Sequence, residues 1–351
     1  LFLGVVLFTM SCSSKKDNKQ QGGGRPKDVK AIGYIVKPSS FEQTYKVAGT
    51  LLPYEAIEIH PELTGRITKI HFKEGAFVKK GQLLVSLYDA DILAQIQKLK
   101  QQKAVLEPAD HPIIRDEEGC FESSFKAIQL AKKYNTRLHI LHISTARELQ
   151  LFGNMLPLED KRITAEVCVH HLHFTSEDYA ILGNQIKCNP AIKAPENKDA
   201  LWNALLDDRL DIIATDHAPH TWQEKNEPYE KAHAGLPLVQ HSLSLMLYYH
   251  QQGRISLEKI AEKMSHAVAD CFNIRERGYI REGYFADLVL VNMNKKNTVA
   301  KENILYKCGW SPFEGFTFKS RITHTLINGQ LVYANFKVKD IQVGKRLEFD
   351  R

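Results

Sequence analysis

Six cysteines are too few and too scattered to organise this chain. Cys12, Cys120, Cys168, Cys188, Cys271 and Cys308 contain no C-x-x-C pair. That spacing excludes a zinc ribbon and a disulfide framework and leaves buried free thiols as the reading. Charge of one sign is lacking as well. The formal net charge of +6 comes from 47 basic against 41 acidic residues, mixed along the chain, so the surface is solvated rather than a groove for nucleic acid. The apolar run at residues 1–10, LFLGVVLFTM, is too short to span a bilayer as a helix. What remains is a chain of 351 residues, 43% hydrophobic and 25% charged, with the composition of a soluble globular protein and room for two or three domains.

The ends of the chain point to different compartments. Residues 1–10 are followed by Ser11-Cys12 and then by the polar stretch SSKKDNKQQGGGRPKD, the layout of a signal peptide's apolar region meeting its cleavage site. A small residue directly before Cys12 resembles a lipoprotein signal. That resemblance implies a lipid anchor on Cys12 and a periplasmic, membrane-attached location, with residues 13–28 as a flexible tether. A core strand starting at the terminus is the competing reading.

Residues 29–91 alternate apolar and polar positions, with turn signals at Pro53, Gly65, Glu74-Gly75 and Lys80-Gly81. Residues 62–67, the turn EGAFVKKGQ at 74–82 and the run 83–89 resemble the lipoyl-like half-motif of periplasmic adaptor subunits, or membrane fusion proteins, of tripartite efflux pumps. Lys79 and Lys80 read as ordinary turn lysines. After Asp91, Ile92, Leu93, Ile96, Leu99 and Val105 recur at helical spacing, as in the ascending arm of an adaptor's helical hairpin. The returning arm and the second half-motif do not follow, so the region 29–107 reads as an incomplete adaptor with unpaired strand edges.

From Pro108 onward the pattern changes to alternating helices and strands. SSFKAIQLAKKY at 123–134 predicts an amphipathic helix, and the runs 137–143, 162–169 and 210–215 predict buried strands, together an α/β parallel sheet. The informative polar residues stand at strand ends. LHILHIST ends in His142-Ile143-Ser144-Thr145, ITAEVCVHHLHF follows, KCNPAIK lies in the next loop, and DIIATDHAPH carries Asp216. In a barrel of alternating strands and helices, such residues converge on one mouth. A histidine and an aspartate projected there suit zinc.

These four blocks, in this order, resemble dihydroorotase of the amidohydrolase superfamily. The likeness continues through EKAHAGLP at 230–237, GYIREGYFADLVLV at 278–291 and ITHTLINGQLVYANFKV at 322–338. It implies the C-terminal part of a (β/α)8 TIM-type barrel at 108–277 and a small β-sandwich at 278–351. By that resemblance His142 and Asp216 are metal ligands, and Asp216 is also the catalytic proton shuttle. Asn189, His220 and the backbone near Gly235 bind the substrate, dihydroorotate. The implied cofactor is one or two Zn2+ ions, which lower the pKa of bound water from 15.7 to about 7 and so supply hydroxide at neutral pH. The implied location is cytoplasmic.

The ligand count limits that expectation. The family's cage also takes a His-x-His, a bridging carboxylate or modified lysine and another histidine from earlier strands. His171-Leu172-His173 matches the seventh-strand region instead and reads as structural or rim. Only strands six to eight are located, and a barrel abolishes edges only when closed. Three readings therefore stand: a cyclic amidohydrolase with an incomplete site, an efflux adaptor anchored through Cys12 with pump partners, and a chimera of the two that performs neither task fully.

Overall fold

The computed structural model describes residues 66–103 and 105–350. The signal-like segment with Cys12, the tether at 13–28 and the adaptor-like residues 29–65 lie outside them.

The first described elements form a hairpin. Strand β1 (Ile67–Ile70) pairs antiparallel with β2 (Val85–Leu87), Ile67 opposite Leu87. The connection turns at Gly75 and Gly81, with φ of 74° and 82°, a region that glycine enters without steric cost. Ile67, Ile70 and Phe77 stay exposed.

Helix α1 (Ala90–Gln102) differs from the hairpin arm that its spacing suggested. Leu99 packs with Leu106, Ile114 and Tyr229, and Ile92 and Ile96 join them. Gln95 Nε2 donates to Asp116 Oδ2 at 2.7 Å, and Lys100 pairs with Glu230. The apolar stripe is covered by the enzyme-like part of the chain, so it needs no second arm.

Helix α2 (Glu117–Lys133) begins six residues before the predicted start because Asp116 caps it, accepting from the Gly119 amide at 2.8 Å. Glu117 and Glu118 in its first turn and Lys132 and Lys133 in its last complement the helix dipole. The strands follow where the sequence puts them: β3 (Leu138–Ile140), β4 (Ile163–Cys168) and, after helix α3 (Pro195–Leu206), β5 (Ile212–Ala214). They pair parallel in the order β3-β4-β5. Among the described residues this three-stranded sheet does not close, and β3 and β5 are its edges.

Central β4 is the most buried strand. Val167, Leu172, Trp202, Leu205 and Leu245 share one apolar core, and the Trp202 indole donates to Leu172 O at 2.9 Å. Beneath the sheet, Lys161 Nζ meets Asp211 Oδ1 at 2.6 Å, and Asp211 Oδ2 accepts from the Ala165 amide at 2.8 Å. That buried pair ties the start of β4 to the start of β5.

Helix α4 (Ser242–Gln251) precedes the C-terminal strands. Strands β6 (Leu288–Asn292), β7 (Asn297–Thr298), β8 (Thr317–Phe318), β9 (Arg321–Ile327), β10 (Gln330–Ala334) and β11 (Lys337–Val338) form two antiparallel sheets. One has the order β11-β10-β9-β6, and β7 pairs with β8. No helix among the described residues is long and apolar enough to cross a membrane.

Candidate active site

Parallel strands lined up side by side deliver their following residues to one edge of the sheet. Here His142 leaves the end of β3 and Asp216 the end of β5, both in left-handed backbone, φ 42° and 45°. Such backbone is uncommon outside glycine and marks positions over-determined by their surroundings. From β4 between them, Glu166 reaches toward β3. Its Oε1 accepts from the His142 amide at 3.4 Å, and its Oε2 meets His139 Nε2 at 3.1 Å.

The electrostatics follow from this crowding. Burial raises the pKa of Asp216 above the usual carboxylate range; His142 pulls it down and Glu166 pushes it up. A carboxyl held high in this way is suited to carry a proton. Burial lowers the basicity of His139, but hydrogen bonds with Cys271 and Glu166 outweigh that and hold its pKa at about 9.

Ser144 and Thr145 after His142 are structural. The Ser144 amide and the Thr145 hydroxyl donate to Glu148 Oε2, and the Ser124 hydroxyl donates to Glu148 Oε1. A cavity of about 560 Å³ opens beside this loop and is lined by His139, His142 and Asn189, with Gln95 of α1 across from them. His142 and Asn189 thus line one cavity, whereas Asp216, His220 and Gly235 do not.

Two buried lysines clamp the substrate-side loops together. Lys225 Nζ donates to the carbonyls of Lys187, His233 and Gly235 at 3.1, 2.9 and 2.9 Å. Lys187 Nζ donates to Tyr229 O at 2.7 Å and also to Ala232 O. Gly235 has φ 136°, and a Cβ there would meet Ala218 O at 2.5 Å. Its amide is spent on Lys187 O at 2.8 Å and its carbonyl on Lys225. Gly235 therefore shapes the wall by close backbone approach, and its own amide is not turned to a ligand. His220 Nε2 donates to Ala234 O at 3.0 Å, and its ring stacks on His233.

The two histidines of His171-Leu172-His173 face different surroundings. His173 bonds the Tyr249 hydroxyl at 2.9 Å and packs among Phe174, Phe313 and Phe316. His171 turns toward His170 and Pro190. Sequence reasoning did not single out Glu166 or His170. The alternation of ITAEVC puts Glu166 on the same strand face as Thr164 and Cys168, which was the available signal.

Zinc fits this mouth only in part. His142 and Asp216 offer an imidazole and a carboxylate within electrostatic reach of each other, the right chemistry. A catalytic zinc takes three protein ligands, so the pair leaves it one donor short among the described residues.

The sequence model of a family described as Amidohydrolase family matches residues 90–332. That range takes in α1, which the sequence reading grouped with the adaptor-like part. The chain is 33% identical over 222 residues to "Dihydroorotase" of Pyrococcus furiosus, covering 63% of this chain and 51% of that protein. It is 35% identical over 207 residues to "Dihydroorotase" of Endomicrobium trichonymphae, covering 59% and 49%. Among solved structures, "L-Hydantoinase (Dihydropyrimidinase) from Arthrobacter aurescens" superposes with a TM-score of 0.66 at 24% identity, over 71% of this chain and 56% of that one, a likeness of fold. The chain spans about half the length of the curated relatives it matches. These similarities give no support to the adaptor reading.

Proposed function

Because the chain belongs to the amidohydrolase family, we propose that it acts in dihydroorotase-like, zinc-dependent hydrolysis of a cyclic amide, dihydroorotate, with ring closure of carbamoyl aspartate as the reverse reaction. The observation that supports this most strongly is that His142 and Asp216 follow the carboxyl ends of β3 and β5, with Glu166 of the intervening β4 within electrostatic reach of Asp216 and hydrogen-bonded to the His142 amide.

The described residues contribute part of such a site. Asp216, its carboxyl held high by burial, takes the proton from the attacking water and returns it to the leaving ring nitrogen. Asn189 faces the cavity beside His142 and presents an amide to the ring's polar edge. His220, whose Nε2 donates to Ala234 O and whose Nδ1 lies 4.0 Å from Glu224 Oε2, is the group assigned to the substrate's carboxylate. Gly235 lets the loop at 230–237 pack closely against Ala218, beside His220. Zinc binding at the mouth calls for donors beyond His142 and Asp216, so partial occupancy of the mouth and slow turnover are expected.

Ring opening of dihydroorotate by the full chain with added zinc tests the proposal. The expected result is slow hydrolysis that falls about 100-fold or more in Asp216→Asn, within the range for loss of a general acid-base group. Equal rates in the two proteins would overturn it. Full zinc occupancy of the mouth, lost in His142→Asn, with fast turnover would overturn the incomplete cage.

A further inference from the structure

Behind the mouth, at the end of β4, Cys168, His170 and His171 each place a donor atom within 4.8 Å of the others. All three side chains are buried, Cys168 and His170 completely. Neither ring nitrogen of His170 has a hydrogen-bond partner, nor does Nδ1 of His171. An unmade hydrogen bond at a buried polar group costs about 1–3 kcal/mol, and folded proteins seldom carry several at one place. Packing does not relieve them. The two rings lie 4.1 Å apart, and only His171 Nε2 is engaged, donating to Pro190 O at 3.1 Å.

We propose that Cys168, His170 and His171 form a buried binding site for a soft-to-borderline divalent cation of the zinc type, separate from the His142–Asp216 pair. This goes beyond the hydrolytic reading and does not depend on it. One thiolate and two imidazoles are a donor set for zinc or cobalt rather than for magnesium or calcium. Ligands of a tetrahedral zinc at bond lengths of about 2.0–2.3 Å stand roughly 3.3–3.8 Å apart, so the trio closes by about 1 Å around the ion.

Protonation and charge are consistent with a cation here. Burial pushes His170 down to about 3 and His171 well below its ordinary value, so both rings are neutral at pH 7, as ligands must be. Burial keeps the Cys168 thiol protonated. Binding therefore breaks the S–H bond, forms the sulfur–metal bond and releases one proton to solvent. The dication and thiolate together leave one positive charge. Glu166 and Asp216, both within electrostatic reach of Cys168, stand ready to compensate it.

The test is titration of the chelator-treated full chain with Co2+, followed by absorption. The expected spectrum has a thiolate-to-cobalt charge-transfer band that saturates at one ion per chain. Cys168→Ser abolishes the band, His170→Gln weakens cobalt binding tenfold or more, and His142→Asn leaves the band in place. No band in the wild type, a band that survives Cys168→Ser, or one that disappears in His142→Asn would overturn the site. Because a core substitution can impair folding, the wild type supplies a second readout. Zn2+ is expected to slow alkylation of Cys168 at least tenfold in mild denaturant, measured by peptide mass; an unchanged rate would also overturn the proposal.

Discussion

His142 and Asp216 leave two different strands of one parallel sheet with nearly the same left-handed backbone, φ 42° and 45°. Each residue carries its side chain past the strand end, and each is held by its surroundings against its own backbone preference. Asparagine tolerates this backbone better than most residues. His142→Asn and Asp216→Asn are therefore expected to lower ring-opening rates about 100-fold or more with little change in melting temperature. A parallel loss of thermal stability would assign both residues to structure instead.

Gly235 carries a different kind of constraint. A methyl group there meets Ala218 O at 2.5 Å and Ala218 Cβ at 2.7 Å, at φ 136°. Gly235→Ala is expected to destabilise the fold by about 2 kcal/mol or more and to raise the KM for dihydroorotate. Denaturant unfolding and steady-state kinetics check the two effects. A loop that relaxes freely would show neither.

Lys161 and Asp211 sit buried beneath the sheet, away from the mouth. Removing one partner strands the other charge in the interior, a cost of about 3–5 kcal/mol. Asp211→Ala also deprives the Ala165 amide of its acceptor. The expected result is a large drop in unfolding free energy, with dihydroorotate affinity retained in whatever fraction stays folded.

The hydrogen bonds of His139 with Cys271 and Glu166 make stability depend on pH. The folded pKa of His139, about 9, lies above its ordinary value of 6.5. Its contribution is therefore complete below about pH 6.5 and is lost as pH rises through about 9. His139→Gln is expected to cost on the order of 2 kcal/mol at about pH 6 and almost nothing at about pH 10. Urea midpoints at the two pH values measure it, and a pH-independent difference would contradict the pairing.

The sheet was legible because β-branched and apolar runs at 137–143, 162–169 and 210–215 alternate with helical periods, and periodicity reads strands well when they are buried. The positions of His142 and Asp216 were legible because one stands near the end of such a run and the other directly after one. Glu166 and His170 were not: alternation groups Glu166 with Thr164 and Cys168 but does not say which face turns to the mouth, and His170 lies beyond the strand. The docking of α1 was also hidden. The same Ile92, Ile96 and Leu99 spacing serves a hairpin arm or a helix laid on Ile114 and Tyr229, and only the partner decides.

Dihydroorotate affinity measured by calorimetry on the full chain tests the central claim most directly, that the loops after β3, β4 and β5 form the substrate side of a cyclic-amide hydrolase. Saturable binding is expected, weakened tenfold or more in Asn189→Ala and in His220→Ala and unchanged in the surface variant Lys337→Ala on β11, outside the cavity. Absence of binding, or equal affinity in all four proteins, would contradict it.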